Sequence, residues 1–133
     1  MIYGIGHDVV EIGRINRIME GSQREAFLQR ILTSDELVLA EARSGRLSEF
    51  AAGRFAAKEA VSKAFGCGIG RIIGFQDMTI LPLTGGRPDV QLTTAAWGRL
   101  ALPDNAVYQI HLSITHQSEL ASAFAVVECI TNK

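Results

Sequence analysis

Four side chains in this sequence stand where charged or titratable groups draw notice. Asp8 ends an apolar stretch, Glu59 and Lys63 lie four apart in an alanine-rich segment, and His116 follows an alternating run of apolar residues. An aspartate and a glutamate can jointly hold Mg²⁺, whose remaining positions go to water and phosphate oxygens. Lys63, one turn beyond Glu59, can neutralise the same phosphates as a point charge.

Each has a plainer alternative. Asp8 can be a turn or cap residue. His116 and His111 can be half-exposed strand histidines. Glu59 and Lys63 can form a solvated ion pair worth roughly a few tenths of a kcal/mol. The neighbours Phe55, Ala56, Ala57, Ala60, Val61 and Ala64 weigh against that last alternative, because they turn part of this face toward a core or a partner chain. Charges held there need partners, since unpaired burial costs several kcal/mol.

The elements that must position these groups follow from periodicity. Residues 2 to 10 alternate small and apolar types, with Gly4 and Gly6 fitting a strand that another backbone approaches closely. Ile12, Ile15 and Met19 recur at helical spacing up to Gly21, and Phe27, Leu28 and Ile31 mark a second helical stretch. Thr33 and Glu36 form a capping-box pattern opening a helix to about Arg43. Ser48 to Phe65, free of proline and closed by Gly66, predicts the longest helix.

Met78, Ile80, Val90 and Leu92 flank Gly85 and Gly86 as a hairpin, and Thr93 to Ala101 predicts a short helix around Trp97. From Val107 to Thr115, Tyr108, Ile110, Leu112 and Ile114 share one face. Phe124, Val126 and Ile130 continue the alternation in a last strand. Gly66 to Gly70 is neither a P-loop nor a dinucleotide fingerprint. The mixed order predicts an α+β fold.

Composition bounds the function. A chain of 133 residues, 47% hydrophobic, is expected to form one domain spanning 1–133. Cys67 and Cys129 suit neither a zinc site nor a disulfide framework. The start lacks a basic region before Asp8 and no apolar run approaches the ~20 residues of a membrane span, so a cytoplasmic protein without membrane partners is expected. The net charge of −1 conceals two basic zones: six cations against two acids from Arg43 to Arg71, and four arginines against two acids from Ile12 to Leu32. Such zones suit anionic ligands better than nucleic acid. A mean hydropathy of +0.17 is high for so small a monomer and predicts an oligomer.

Several blocks together resemble the bacterial holo-acyl-carrier-protein synthases: Gly4-Ile5-Gly6-His7-Asp8, Arg30-Ile31-Leu32-Thr33, Gly53-Arg54-Phe55-Ala56-Ala57-Lys58-Glu59-Ala60, Lys63-Ala64-Phe65-Gly66, Gly68-Ile69-Gly70, Phe75-Gln76-Asp77 and Ser113-Ile114-Thr115-His116. The resemblance implies a homotrimeric phosphopantetheinyl transferase of α+β fold with sites at subunit interfaces. It would carry the 4′-phosphopantetheine arm of coenzyme A to a serine of apo acyl carrier protein, for fatty acid biosynthesis. It further implies Asp8 and Glu59 as Mg²⁺ ligands, Glu59, Lys63 and His116 as catalytic residues, and Arg46, Arg54, Lys63 and Gly66 as coenzyme A contacts. Two departures are His7, where the family has an apolar residue, and Cys67, where it has a small polar one.

The general base stays open between Glu59, a water oriented by Asp8, and His116. Arg14, Arg17 and Arg24, with Met19 and Phe27, would suit an acidic carrier helix, the alternative being an ordinary solvated face. A non-catalytic module binding coenzyme A, or an interaction protein in which Glu59 and Lys63 merely pair, would lack metal-dependent turnover.

Overall fold

The computed structural model describes residues 1–43 and 45–131, with the side chain of Thr131 outside the description. Strand β1 (Ile2–Glu11) leads into helices α1 (Ile12–Glu20), α2 (Arg24–Ile31), α3 (Ser34–Glu41) and α4 (Leu47–Ala64). A hairpin of β2 (Met78–Pro82) and β3 (Pro88–Leu92) precedes α5 (Thr94–Leu100), and β4 (Ala106–His116) and β5 (Leu120–Thr131) complete the chain. The class is α+β, as expected.

The main sheet is antiparallel in the order β1-β5-β4. Helix α4 crosses it obliquely. Its Gly53 lies against Ile114 of β4, with a β-carbon there 3.3 Å from Ile114 Cγ2, while its last turns lie over β1. A β-carbon on Gly4 would overlap the Ala64 carbonyl oxygen, and one on Gly6 that of Ala60. Backbone therefore rests on backbone, the close approach that the two glycines predict.

This closeness sets the inward face of β5. Ala121, Ala123, Ala125 and Val127 are the buried residues, and Phe124 and Ile130 face outward. The alternation expected for Phe124, Val126 and Ile130 is present, and it sets them on the face away from α4: a helix this near the sheet favours small side chains between the two. On the far face of the sheet, Ile5, Val9, Val107 and Phe124 are each half or more exposed, and the His7 ring stacks on Phe124 at 4.0 Å.

The capping box at α3 forms, with Thr33 N–H donating to Glu36 Oε1 at 2.8 Å. Glu36 does more than cap, because Lys58 from α4, itself fully buried, donates to the same oxygen at 2.6 Å. Lys58 also donates to the carbonyls of Ile31 at 2.6 Å and Phe75 at 3.1 Å. Of the six cations between Arg43 and Arg71, Lys58 is thus closed to an outside anion: all three ammonium donors are spent inside the protein.

Candidate active site

Inward positions of β1 alternate as Gly4, Gly6, Asp8 and Val10, so the strand that touches α4 through its glycines next offers it a carboxylate. On α4, Glu59 and Lys63 lie on the flank meeting that carboxylate. Lys63 Nζ stands 3.0 Å from Asp8 Oδ1 and 3.4 Å from the His7 carbonyl oxygen. The intrahelical Glu59–Lys63 pair is therefore not what forms: Lys63 turns across to β1. Asp8 is largely enclosed, its side chain 17% exposed, against 48% for Lys63.

Glu59 is left as the surplus charge. Partial burial pushes its carboxyl above the ordinary range, the nearby Asp8 charge adds to that, and Lys63 opposes both. Among the described residues nothing donates a hydrogen bond to its carboxylate oxygens, and Asp8 Oδ2 is likewise free of donors. This oxygen set, with unused lone pairs and mutual repulsion, fits a hard divalent cation. No third His, Cys, Asp or Glu joins the pair among the described residues, so such a cation would keep most of its positions for water and ligand oxygens.

His116 lies on the opposite flank of α4. It shares a cleft of about 100 Å³ with Arg43, Arg46, Glu49, Phe50, Gly53, Arg54 and Ile114, and its Nδ1 stands 3.8 Å from Glu49 Oε2. Arg54 is held by its Nε, which donates to the Ile80 carbonyl at 3.2 Å, and by the Phe50 ring 4.6 Å beneath it. Three guanidinium groups around one histidine make an anion site.

Gly66 ends α4 at the Asp8 side. With φ at +81° it takes the left-handed conformation, and its N–H caps the Lys63 carbonyl at 2.9 Å. On α1, the exposed Arg14 and Arg17 line a shallow groove with Ile18, Gly21, Ser22 and Gln23. Arg24 reaches back to the Met19 carbonyl at 3.4 Å, and Phe27 stacks with Phe55 at 6.3 Å. Met19 is only 6% exposed and packs in the core, so it anchors α1 and has little surface for a carrier to meet.

The sequence pattern of the 4′-phosphopantetheinyl transferase superfamily matches residues 4–125. The chain belongs to that family. Among relatives, it is 44% identical over 133 residues to the holo-[acyl-carrier-protein] synthase of Bacillus subtilis (strain 168), covering 99% of this chain and 100% of the relative. The Bacillus cereus (strain ATCC 14579) synthase is 41% identical over 132 residues, covering 98% and 99%. The holo-[acyl-carrier-protein] synthase of Neisseria meningitidis superposes with a TM-score of 0.84 at 35% identity, covering 96% and 99%. The Bacillus anthracis (strain Ames) synthase, solved in complex with CoA (3′,5′-ADP), gives 0.78 at 40% identity, covering 96% and 97%.

Within this transferase the fold sorts the residues singled out in the sequence into two groups. Asp8, Glu59, Lys63 and Gly66 gather at the C-terminal end of α4; Arg46, Arg54 and His116 gather toward its N-terminal end. From Arg46 to Lys63 the helix rises about 25 Å. Glu49 and Phe50 of the cleft escape sequence reasoning, and Arg43 enters it only as a member of a basic zone, since only the fold brings the turn before α4 against the end of β4.

Proposed function

We propose that this phosphopantetheinyl transferase moves the 4′-phosphopantetheine group of coenzyme A to a serine of apo acyl carrier protein at the Asp8, Glu59 and Lys63 cluster, and that Asp8 and Glu59 hold a Mg²⁺ ion. The observation that carries the reading is the pair of carboxylates with unfilled acceptor capacity beside the half-exposed Lys63. When bound, the ion would neutralise pyrophosphate charge and favour departure of the leaving phosphate. Lys63, half exposed and tied to Asp8 by one contact, can swing to a phosphate oxygen as charge builds there.

The serine hydroxyl forms the new P–O bond while the P–O bond to 3′,5′-ADP breaks, and its proton must go to a base. Glu59 is the group in this chain placed to take it, directly or through one water, because among the described residues its oxygens have no competing donors. His116, beyond α4, can reach the reacting centre only from another copy.

Coenzyme A carries a second anionic group, its 3′-phosphate. We place it in the Arg46, Arg54 and His116 cleft of a neighbouring copy, so that the site is completed between subunits of a homotrimer. The exposed apolar sheet face of Ile5, Val9 and Phe124 supports such burial between copies. Arg14, Arg17 and Arg24, with Phe27, would dock the acidic carrier. We further propose that residues 1–133 act as one domain, in the cytoplasm, where both substrates would be met. Among the described residues no helix is long and apolar enough to cross a membrane.

Intact-protein mass spectrometry tests the reading. Protein, Mg²⁺, coenzyme A and an apo carrier should yield a carrier heavier by one phosphopantetheine, abolished by chelation. Neither modified carrier nor released 3′,5′-ADP across several bacterial carriers would refute it. Light scattering at micromolar concentration checks the trimer, which a stable, active monomer would contradict.

A further inference from the structure

We infer that Glu36, which no ligand can touch, is a positioning residue for substrate: it sets the Arg54 guanidinium in the His116 cleft and leaves it short of one anion, which the 3′-phosphate of coenzyme A supplies. The inference rests on the assignment of that cleft to the 3′-phosphate.

Glu36 is fully buried. Capping α3 needs one of its oxygens, yet both are in use. Oε1 accepts from Thr33 N–H at 2.8 Å, Thr33 Oγ1 at 3.2 Å and Lys58 Nζ at 2.6 Å. Oε2 accepts from the Ile80 N–H at 3.0 Å and stands 3.8 Å from Arg54 Nε. The Ile80 peptide thus ties the two: its N–H goes to Glu36, and its carbonyl receives Arg54 Nε at 3.2 Å. With Phe50 covering one face of the guanidinium, Nε is locked. The terminal nitrogens have no acceptor among the described residues and remain for the cleft that the side chain lines.

Charge completes the argument. One carboxylate faces two cations, Lys58 and Arg54, four residues apart on α4, so a single positive charge is left over. Lys58 lies at hydrogen-bonding distance and is matched. Arg54 lies farther off, is 11% exposed, and looks onto the cleft, where Arg43 repels it. The geometry leaves the excess at the one member of the cluster that a ligand can reach, and an anion bound there relieves it. Glu36 thus acts on Arg54 in two opposed ways: its charge trims the excess that draws an anion, and its hold on the Ile80 peptide fixes the guanidinium that must meet one. Orientation is the effect the test reads, since a misplaced guanidinium loses its paired contacts to phosphate.

The test compares coenzyme A with 3′-dephospho-coenzyme A as donors to an apo carrier in the presence of Mg²⁺. Wild-type protein should have the lower KM for coenzyme A. Glu36→Gln should raise that KM about tenfold with kcat held within about twofold, leave the dephospho donor unaffected, and add nothing in an Arg54→Ala background. Should Glu36→Gln fold poorly, Glu36→Gln with Lys58→Met removes the buried pair together and carries the same expectation. A wild-type enzyme blind to the 3′-phosphate overturns the cleft assignment. An enzyme that distinguishes the donors, but does so equally well in the Glu36→Gln forms or loses both donors alike, overturns the role of Glu36 alone.

Discussion

Lys58 and Glu59 are adjacent on α4 and have opposite fates. Lys58 is buried with Glu36, and each of its protons meets an oxygen of the protein. Glu59 faces Asp8 and Lys63, keeps its acceptors unfilled, and has its carboxyl pushed upward by burial and a like charge. Both regions pair carboxylates with lysines near α4. One is saturated and can only hold the fold together, whereas the other is under-satisfied and can hold something else. Residue type does not separate structure from chemistry here; the balance of donors and acceptors does.

The sharpest way to break this contrast is Lys58→Ala, which takes from the buried Glu36 carboxylate the cation at hydrogen-bonding distance. We expect about 3–5 kcal/mol of lost stability, read by denaturant unfolding; a loss near zero would show that the hub is not saturated as described. Next come Asp8→Asn and Glu59→Gln, which should slow transfer about 10²- to 10³-fold without lowering the melting temperature. Addition of Mg²⁺ should raise the melting temperature of wild-type protein and not of either variant. Arg14→Glu with Arg17→Glu extends the contrast to fully solvated charges: carrier KM should rise about tenfold and lose salt dependence, with coenzyme A binding unchanged in calorimetry.

The smallest effect concerns pH. Glu59 has a folded-state proton affinity above its unfolded one, so native protein binds more protons in the window between the two. Stability there falls as pH rises, and the loss persists at neutral pH. Metal-free Glu59→Gln should thus melt slightly above metal-free wild type at neutral pH, with the gap closing below the ordinary carboxylate range. A variant that melts lower at neutral pH would mean that Glu59 has structural partners.

Much of this was legible in the sequence. Helical spacing places Ile12, Ile15 and Met19 inward, Gly85 and Gly86 mark the hairpin, and Thr33 with Glu36 announces the start of α3. Gly4 and Gly6 announce the contact that brings Asp8 to Glu59. What was illegible depends on non-local distance. In β5 both alternating faces are apolar, so hydrophobicity favours Phe124, while the nearness of α4 selects Ala121, Ala123 and Ala125. Likewise, Glu36 and Lys58 are far apart in the chain, and nothing in either neighbourhood says that they meet. The partition of the site residues between two ends of α4 also needs the fold, because helical spacing alone cannot say what stands beside each end.

The central place of β5 bears on biosynthesis. Asp8 is aligned opposite Ala123, and among the described residues β1 has no neighbour in the sheet except β5. A ribosome that has released α1 through α5 has made every other member of the acid cluster, yet the first strand still has nothing to pair with. Closing so long a loop is costly and slow. Until residues 120–128 emerge, Ile5 and Val9 sit on an unpaired edge, a state prone to association with other chains. Activity should therefore appear only late in synthesis and all at once, and messages cut short before β5 should yield protein for disposal, with no partly active transferase along the way.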